Sequence, residues 1–228
     1  MINKKTVVLS LGGSLIVPDA IDEKFLKNFT NLILRLSKNY RFVIFTGGGS
    51  VARSYQQSLA KINSGAEKDA KDWVGIQASI LNAELLKQSL GNNAHTKIIT
   101  DPRVKLRWTK NVWVGAGWKP GRSTDYDAVR IALENGISSV INLSNIDYVY
   151  TKDPNKYKNA EKITDITWSE FRKIIGRKWD PGLNVPFDPV AAGLAQKYSI
   201  HVKIINGKNL TNVENAIKNK KIKGTSIS

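Results

Sequence analysis

Residues 117–125 crowd anion-binding chemistry into one stretch: Gly117, Trp118, Lys119, Pro120, Gly121, Arg122, Ser123, Thr124 and Asp125. Glycine lets a backbone approach a ligand closely. Ser123, Thr124 and Asp125 are good helix N-caps, and a helix starting there points free N–H groups back into the loop. Lys119 and Arg122 add positive charge, so the stretch suits a phosphate or carboxylate. An ordinary strand-to-helix turn with solvated charges has a similar composition, so recurrence has to decide. Gly12-Gly13-Ser14 and Gly47-Gly48-Gly49-Ser50 also follow apolar runs, and Arg53 comes one turn after the second. Three consecutive glycines are entropically costly unless a ligand needs direct backbone contact. Residues 144–154 gather hydroxyl, aromatic, acidic and basic groups that suit a base or ribose pocket.

The elements that must position these loops follow from periodicity. Apolar strands are expected at Thr6–Leu11, Tyr40–Thr46, Lys97–Ile99, Val112–Val114, Ser139–Leu143, Thr164–Ile166 and His201–Ile205, with Gly224–Ile227 as a last edge strand. Helices are expected from Asp22 to Ser37, after Ser50 as N-cap, from Glu67 to Leu90, over Ala128–Glu134, over Ser169–Ile175, from Asp188-Pro189 to Tyr198, and over Leu210–Lys218. On the long helix, Trp73, Ile76, Ile80, Leu81 and Leu85 mark the expected buried side, and Asp72 reads by itself as a surface acid. Residues 101–111 form a hairpin or loop, and 176–186 is irregular. Strands alternating with helices imply an α/β fold, a mostly parallel sheet with helices on both faces. Ligands then sit beyond the strand carboxyl ends, where all four loops should converge.

Composition narrows the class. The 228 residues are 41% hydrophobic, with no apolar run of membrane-spanning length and no signal-peptide pattern, so no membrane role and a cytoplasmic location are expected. There is no cysteine, and the two histidines are expected to be structural (His201) and solvated (His95), which leaves no protein metal site. The +16 net charge attracts polyanions, but no nucleic-acid motif accompanies it. The lysines at 218, 220, 221 and 223 read as a solvated tail.

The order Leu11-Gly12-Gly13-Ser14, Thr46 to Arg53, Gly121 to Asp125, Asn145 to Pro154 and Val185 to Ala192 resembles the amino acid kinase family over essentially the whole chain. Within that family it is most similar to the archaeal-type UMP kinase branch. The resemblance implies a three-layer αβα sandwich, with an acceptor-binding lobe over about 1–112 and an ATP-binding lobe over about 113–228. It implies transfer of the γ-phosphoryl group of ATP to UMP, with Mg²⁺ bridging phosphates, and a homo-oligomer such as a hexamer. By position, Gly12, Gly13, Ser14 and Gly48 would bind the ATP phosphates, with Arg53 adding charge. Ser144, Asn145, Tyr150 and Asp153 would hold the rest of the ATP. Gly47, Asp72 and the 117–124 stretch, from Gly117 through Trp118, Lys119, Pro120, Gly121, Arg122 and Ser123 to Thr124, would wrap the UMP. Asp125, Arg53 and Lys119 would serve catalysis. The acceptor is already a phosphate, so Asp125 is expected to position groups rather than abstract a proton.

Three departures stand out. Many relatives carry lysine two residues before the first glycine pair, where this chain has Ser10, so the charge passes to Lys119, Arg122 or Arg53. The usual Asp-Gly of the fourth loop is Asp147-Tyr148. Trp118-Lys119 enlarge a loop that is usually small. The alternatives are a kinase of the same fold acting on an acetylated amino acid or carbamate, a non-catalytic nucleotide-binding regulator, and a nucleic-acid module suggested by charge alone.

Overall fold

In the computed structural model, which describes residues 4–154, 156–176 and 185–228, the central strands are apolar at consecutive positions because both faces of the sheet are covered. The parallel strands are β1 (Lys5–Leu11), β2 (Tyr40–Thr46), β3 (Val112–Gly115) and β4 (Ser139–Ser144). Val7, Leu9 and Leu11 of β1 point into one core with Phe29 and Ile33 of α2 (Glu23–Leu36). Val8 points into the other core with Ala128 and Ile131 of α5 (Thr124–Glu134). The remaining helices are α1 (Gly13–Ile16), α3 (Gly49–Ile62), α4 (Lys68–Leu90), α6 (Trp168–Ile175), α7 (Pro189–Lys197) and α8 (Leu210–Ile217). Together with α2 and α5 they form the outer layers of an αβα sandwich. Among the described residues, no helix is long and apolar enough to cross a membrane.

Among the described residues the sheet has seven strands in the order β3-β2-β1-β4-β8-β9-β7, where β8 is His201–Asn206, β9 is Gly224–Ile227 and β7 is Asp165–Ile166. Strand β8 continues the parallel set beside β4, whereas β9 runs antiparallel to β8. A separate two-stranded hairpin pairs β5 (Val149–Tyr150) with β6 (Lys162–Ile163). Register determines where the loops leave. Leu11 lies opposite both Thr46 and Leu143, and Phe45 lies opposite Gly115. The carboxyl ends of four strands are therefore level, and their loops open on one rim.

Several expectations are corrected. Strand β9 is not the edge, because the two-residue β7 pairs outside it. Lys97–Ile99 contributes only an isolated bridge from Ile99 to Gly115. Residues 101–111 are an irregular loop rather than a hairpin. Helix α5 starts at Thr124 rather than Ala128, because the Ser123 hydroxyl caps it by accepting from the Tyr126 N–H at 3.3 Å. Helix α3 starts at Gly49, so Ser50 is not its cap and instead donates to the Asp19 carbonyl at 3.2 Å. On α4, Trp73 and Leu81 are 49% and 63% exposed. Its buried stripe is Asp72, Ile76, Ser79, Ala83, Leu86 and Leu90, spaced alternately by four and three residues as one helix face requires. The expected irregular stretch 176–186 lies almost wholly outside the described residues. The lysine tail is partly anchored: Lys218 pairs with Glu214 at 2.6 Å and Lys223 with Asp147 at 2.7 Å.

His201 opens β8 through its backbone, and its side chain is exposed. His95 is not solvated. It stacks on Trp113 at 3.6 Å, meets Trp108 edge-on at 6.3 Å, and is buried. The Lys110 N–H donates to His95 Nε2 at 3.2 Å, an arrangement that needs the neutral ring. Burial accordingly holds the imidazole below its ordinary value. A depressed folded-state value for a base means that stability is lost as pH falls below the unfolded value of about 6.5. His95→Phe keeps an aromatic stack but cannot titrate. Its urea midpoint should change less between pH 7 and pH 5 than that of the unsubstituted chain.

Candidate active site

The first two glycine turns meet at the rim. Gly12 follows β1 and donates its N–H to the Leu143 carbonyl at 2.9 Å, and Gly47 follows β2 and donates to Leu11 at 3.0 Å. These bonds extend the sheet by one residue and press the turns together. A Cβ on Gly13 would lie 2.1 Å from the Gly49 nitrogen and 2.6 Å from the Gly47 carbonyl carbon. A Cβ on Gly47 would lie 2.6 Å from the Gly13 nitrogen. The amides of Gly13 and Ser14 open α1, and those of Gly48 and Gly49 open α3, with no backbone acceptor among the described residues. Such free N–H groups at helix starts suit phosphate oxygens.

Around this junction lies a cleft of about 530 Å³. Ser14, Gly47, Gly48 and Arg53 line one side of it. Asp72, Gly117, Arg122, Ser123 and Thr124 line another, and Asn145 closes it. Ten of the residues singled out from sequence thus line one cleft. Ser144, Tyr150 and Asp153 do not line the cleft. Ser144 ends β4, Tyr150 pairs with Lys162 in the hairpin, and Asp153 lies on the loop beyond it. Trp118, Lys119 and Pro120 form the outer arch of the third loop. The Lys119 ammonium lies 4.2 Å from the Trp118 ring centroid and the Arg103 guanidinium 4.8 Å from it. Arg53 is exposed at the cleft and donates to the Pro18 carbonyl at 3.3 Å.

The third loop is held from below by carboxylates. Asp72 accepts from the Gly121 N–H at 2.7 Å and is buried, which corrects its reading as a surface acid. Asp127 is fully buried and accepts from the Trp118 N–H at 3.1 Å. Burial pushes its carboxyl well above the ordinary range. Ser79 accepts from the Gly117 N–H at 2.9 Å, and its carbonyl accepts from Thr46 at 3.0 Å. Asn82 donates to the Gly47 carbonyl at 2.8 Å. Helix α4 therefore ties the second glycine turn to the third loop. Arg122 folds over Tyr126, 4.8 Å from the ring centroid, and donates to the Gly121 carbonyl at 2.6 Å.

Asp125 sits at the centre, in the first turn of α5. Its Oδ1 accepts from the Ser10 hydroxyl at 2.6 Å and from the Asn142 amide at 2.7 Å. Its Oδ2 accepts from the Asp188 N–H at 3.4 Å. Asp188 caps α7 and also takes hydrogen bonds from the Ser123 hydroxyl and backbone N–H. Ser10 contributes a buried hydroxyl here, so the central acid is held by neutral donors. Burial raises Asp125 to about 6, the Ser10 hydrogen bond opposes that, and the Asp188 carboxylate adds to it.

Sequence reasoning missed Ser79, Asn82, Gln56, Gly75, Asn142 and Asp188 as site residues, although Asp188 was recognised as a helix cap. The available signal was polarity on the inner stripe of α4, where Asp72 and Ser79 occupy positions that Leu86 and Leu90 fill further along.

A profile of the amino acid kinase family matches residues 5–206. The chain is 31% identical to a uridylate kinase of Pyrococcus abyssi over 224 residues, 97% of this chain and 98% of that one. It is 34% identical to a uridylate kinase of Thermoplasma volcanium over 225 residues, 98% of this chain and 97% of that one. The crystal structure of a uridylate kinase from Archaeoglobus fulgidus superposes with a TM-score of 0.80 at 28% identity, covering 98% of this chain and all of that one.

Two predictions come from this geometry. Gly13→Ala should lower the urea-unfolding free energy by about 1–3 kcal/mol, because backbone on the facing turn must move. An acid whose folded-state value lies above its unfolded value of about 3.9 binds more protons when folded. Its contribution to stability is therefore lost as pH rises from about 4 through about 6. Asp125→Asn should remove that pH-dependent loss, on the order of 2 kcal/mol, from a series of melts between pH 4 and pH 7.

Proposed function

This chain belongs to the amino acid kinase family, and we propose that it transfers the γ-phosphoryl group of ATP to UMP, giving UDP for pyrimidine nucleotide synthesis. The observation that carries this reading is the abutment of the Gly13 and Gly47 turns, with amides free among the described residues on both sides of the junction. Phosphoryl transfer asks little covalent chemistry of a protein. It requires two phosphates in line and their charge neutralised.

In this reading the amides of Gly12, Gly13, Ser14 and Gly48 hold the ATP phosphates, and Gly47 holds the UMP phosphate. Arg53 and Arg122 supply positive charge at the junction, and Lys119 does so from the arch. Asp72 and the 117–124 loop wrap the acceptor, while Ser144, Asn145, Tyr150 and Asp153 hold the adenosine side. The acceptor lobe is residues 1–112 and the ATP lobe residues 113–228. Asp125 positions Ser10, Asn142 and the start of α7 and takes no proton from the acceptor, which arrives as an anion. The carboxylates of Asp125, Asp127 and Asp188 already accept from protein donors. Mg²⁺ therefore fits as a cation carried by the ATP phosphates, where it neutralises oxygens that bridge the two substrates. A cytoplasmic homo-oligomer, such as a hexamer, completes the proposal.

A second reading rests on Ser10. Without a lysine at position 10, the protein would bind nucleotide and regulate without turning it over. Incubating the protein with Mg-ATP and each nucleoside monophosphate, while following ADP release, separates the two. ADP release with UMP alone is expected, and tight ATP binding without release with any monophosphate would leave the regulatory reading. Asp125→Asn should lower kcat at least tenfold and change the KM for UMP about twofold or less. Equal losses in both would make Asp125 a binding group only.

A further inference from the structure

The wall of the cleft built by α3 and α4 contains a side chain with no role so far. Gln56 lies three residues after Arg53, on the same face of α3 and about 4.5 Å further along the helix axis. Its Nε2 donates to the Lys71 carbonyl at 2.9 Å. A carbonyl only accepts, so the nitrogen must be at that end of the amide and Oε1 at the other. The anchoring depends on Gly75. A Cβ there would lie 2.7 Å from Gln56 Nε2, so any other residue displaces the amide. Glycine inside a helix costs about 1 kcal/mol relative to alanine, and the space it leaves for Gln56 is the compensation visible at this position.

Asp72 stands on α4 immediately after the carbonyl that anchors Gln56. Its Oδ2 is taken by the Gly121 N–H, and no hydrogen bond reaches its Oδ1 from the described residues. Asp72 and an oriented glutamine oxygen thus occupy the same wall, one turn beyond the arginine beside the Gly47–Gly49 turn. Both groups are hydrogen-bond acceptors, so their complement is a pair of donors on one small rigid group.

Resting on the reading that the acceptor is UMP, we propose that Gln56 is a specificity-determining residue, whose Oε1 acts with Asp72 Oδ1 to read the vicinal hydroxyls of the acceptor's ribose. A sugar that lacks one hydroxyl leaves one of these acceptors unpaired, which is the costly arrangement in a desolvated site. The competing role for Gln56 is a brace between α3 and α4, indifferent to the sugar.

Calorimetric titration with UMP, 2′-deoxy-UMP and 3′-deoxy-UMP distinguishes the two roles without requiring turnover. Gln56→Leu should weaken UMP binding roughly tenfold. It should leave the affinity for one of the two deoxy analogues within about twofold, because that analogue never made the lost contact. Gly75→Ala displaces the same amide without altering Gln56 and favours the helix, so it should reproduce this selectivity change without a lower melting temperature. Equal weakening of all three ligands, or no weakening of any, overturns the proposal. If the unsubstituted protein binds no UMP, the acceptor reading fails and this inference fails with it. Binding of UMP with unchanged selectivity in both variants overturns the inference alone.

Discussion

The two glycine turns can abut only because neither carries a side chain at the contact. Gly13 and Gly47 approach so closely that one added carbon on either would overlap the other's backbone. That approach places the start of α1 against the start of α3, with two sets of amides, unpaired among the described residues, side by side. Two phosphates that must react have to lie within bonding reach of one another. The steric emptiness of this junction is therefore the condition on which the cleft, the helix starts and the placing of Arg53 all rest.

The central acid works within a different balance. Ser10, Asn142 and the Asp188 backbone supply three neutral donors to Asp125, and among the described residues no cation pairs with it. The Asp188 carboxylate lies close enough to oppose its ionisation, and Asp125 in turn opposes that of Asp127. A lysine at position 10 would cancel that opposition. With serine there, positive charge enters from the third loop and from α3, where Arg122 and Arg53 sit at the cleft. The network fixes geometry through hydrogen bonds rather than through an ion pair, and it leaves the acid sensitive to pH near neutrality.

Much of the architecture was legible because the signals were local and redundant. Apolar runs followed by glycine turns identified the buried parallel strands, and Asp22, Ser123 and Asp188 announced helix starts that the structure contains. The long helix was found with Ile76, Ile80 and Leu85 facing the core, but two of its expected buried residues were misread. Trp73 and Leu81 looked like core by hydrophobicity, whereas the inner stripe turns polar over the cleft, with Asp72, Ser79 and Asn82 facing inward. His95 was misjudged for the mirror reason: its polar sequence neighbours gave no hint of the Trp113 ring that covers it. Hydrophobicity predicts burial only where the buried neighbour is apolar too.

By itself the sequence determined the alternation of strands and helices, the glycine turns, and the family likeness carried by their order, because each of these depends on residues a few positions apart. Which residues meet was decided only in three dimensions. Ser10 and Asp125 are 115 positions apart, and Asp72 and Gly121 are 49 apart. The Gln56 amide is oriented by a carbonyl on a neighbouring helix and by the absence of a Cβ at Gly75. Hydrogen bonds are satisfied by whatever polar group the chain brings within about 3 Å, and no local pattern records that choice.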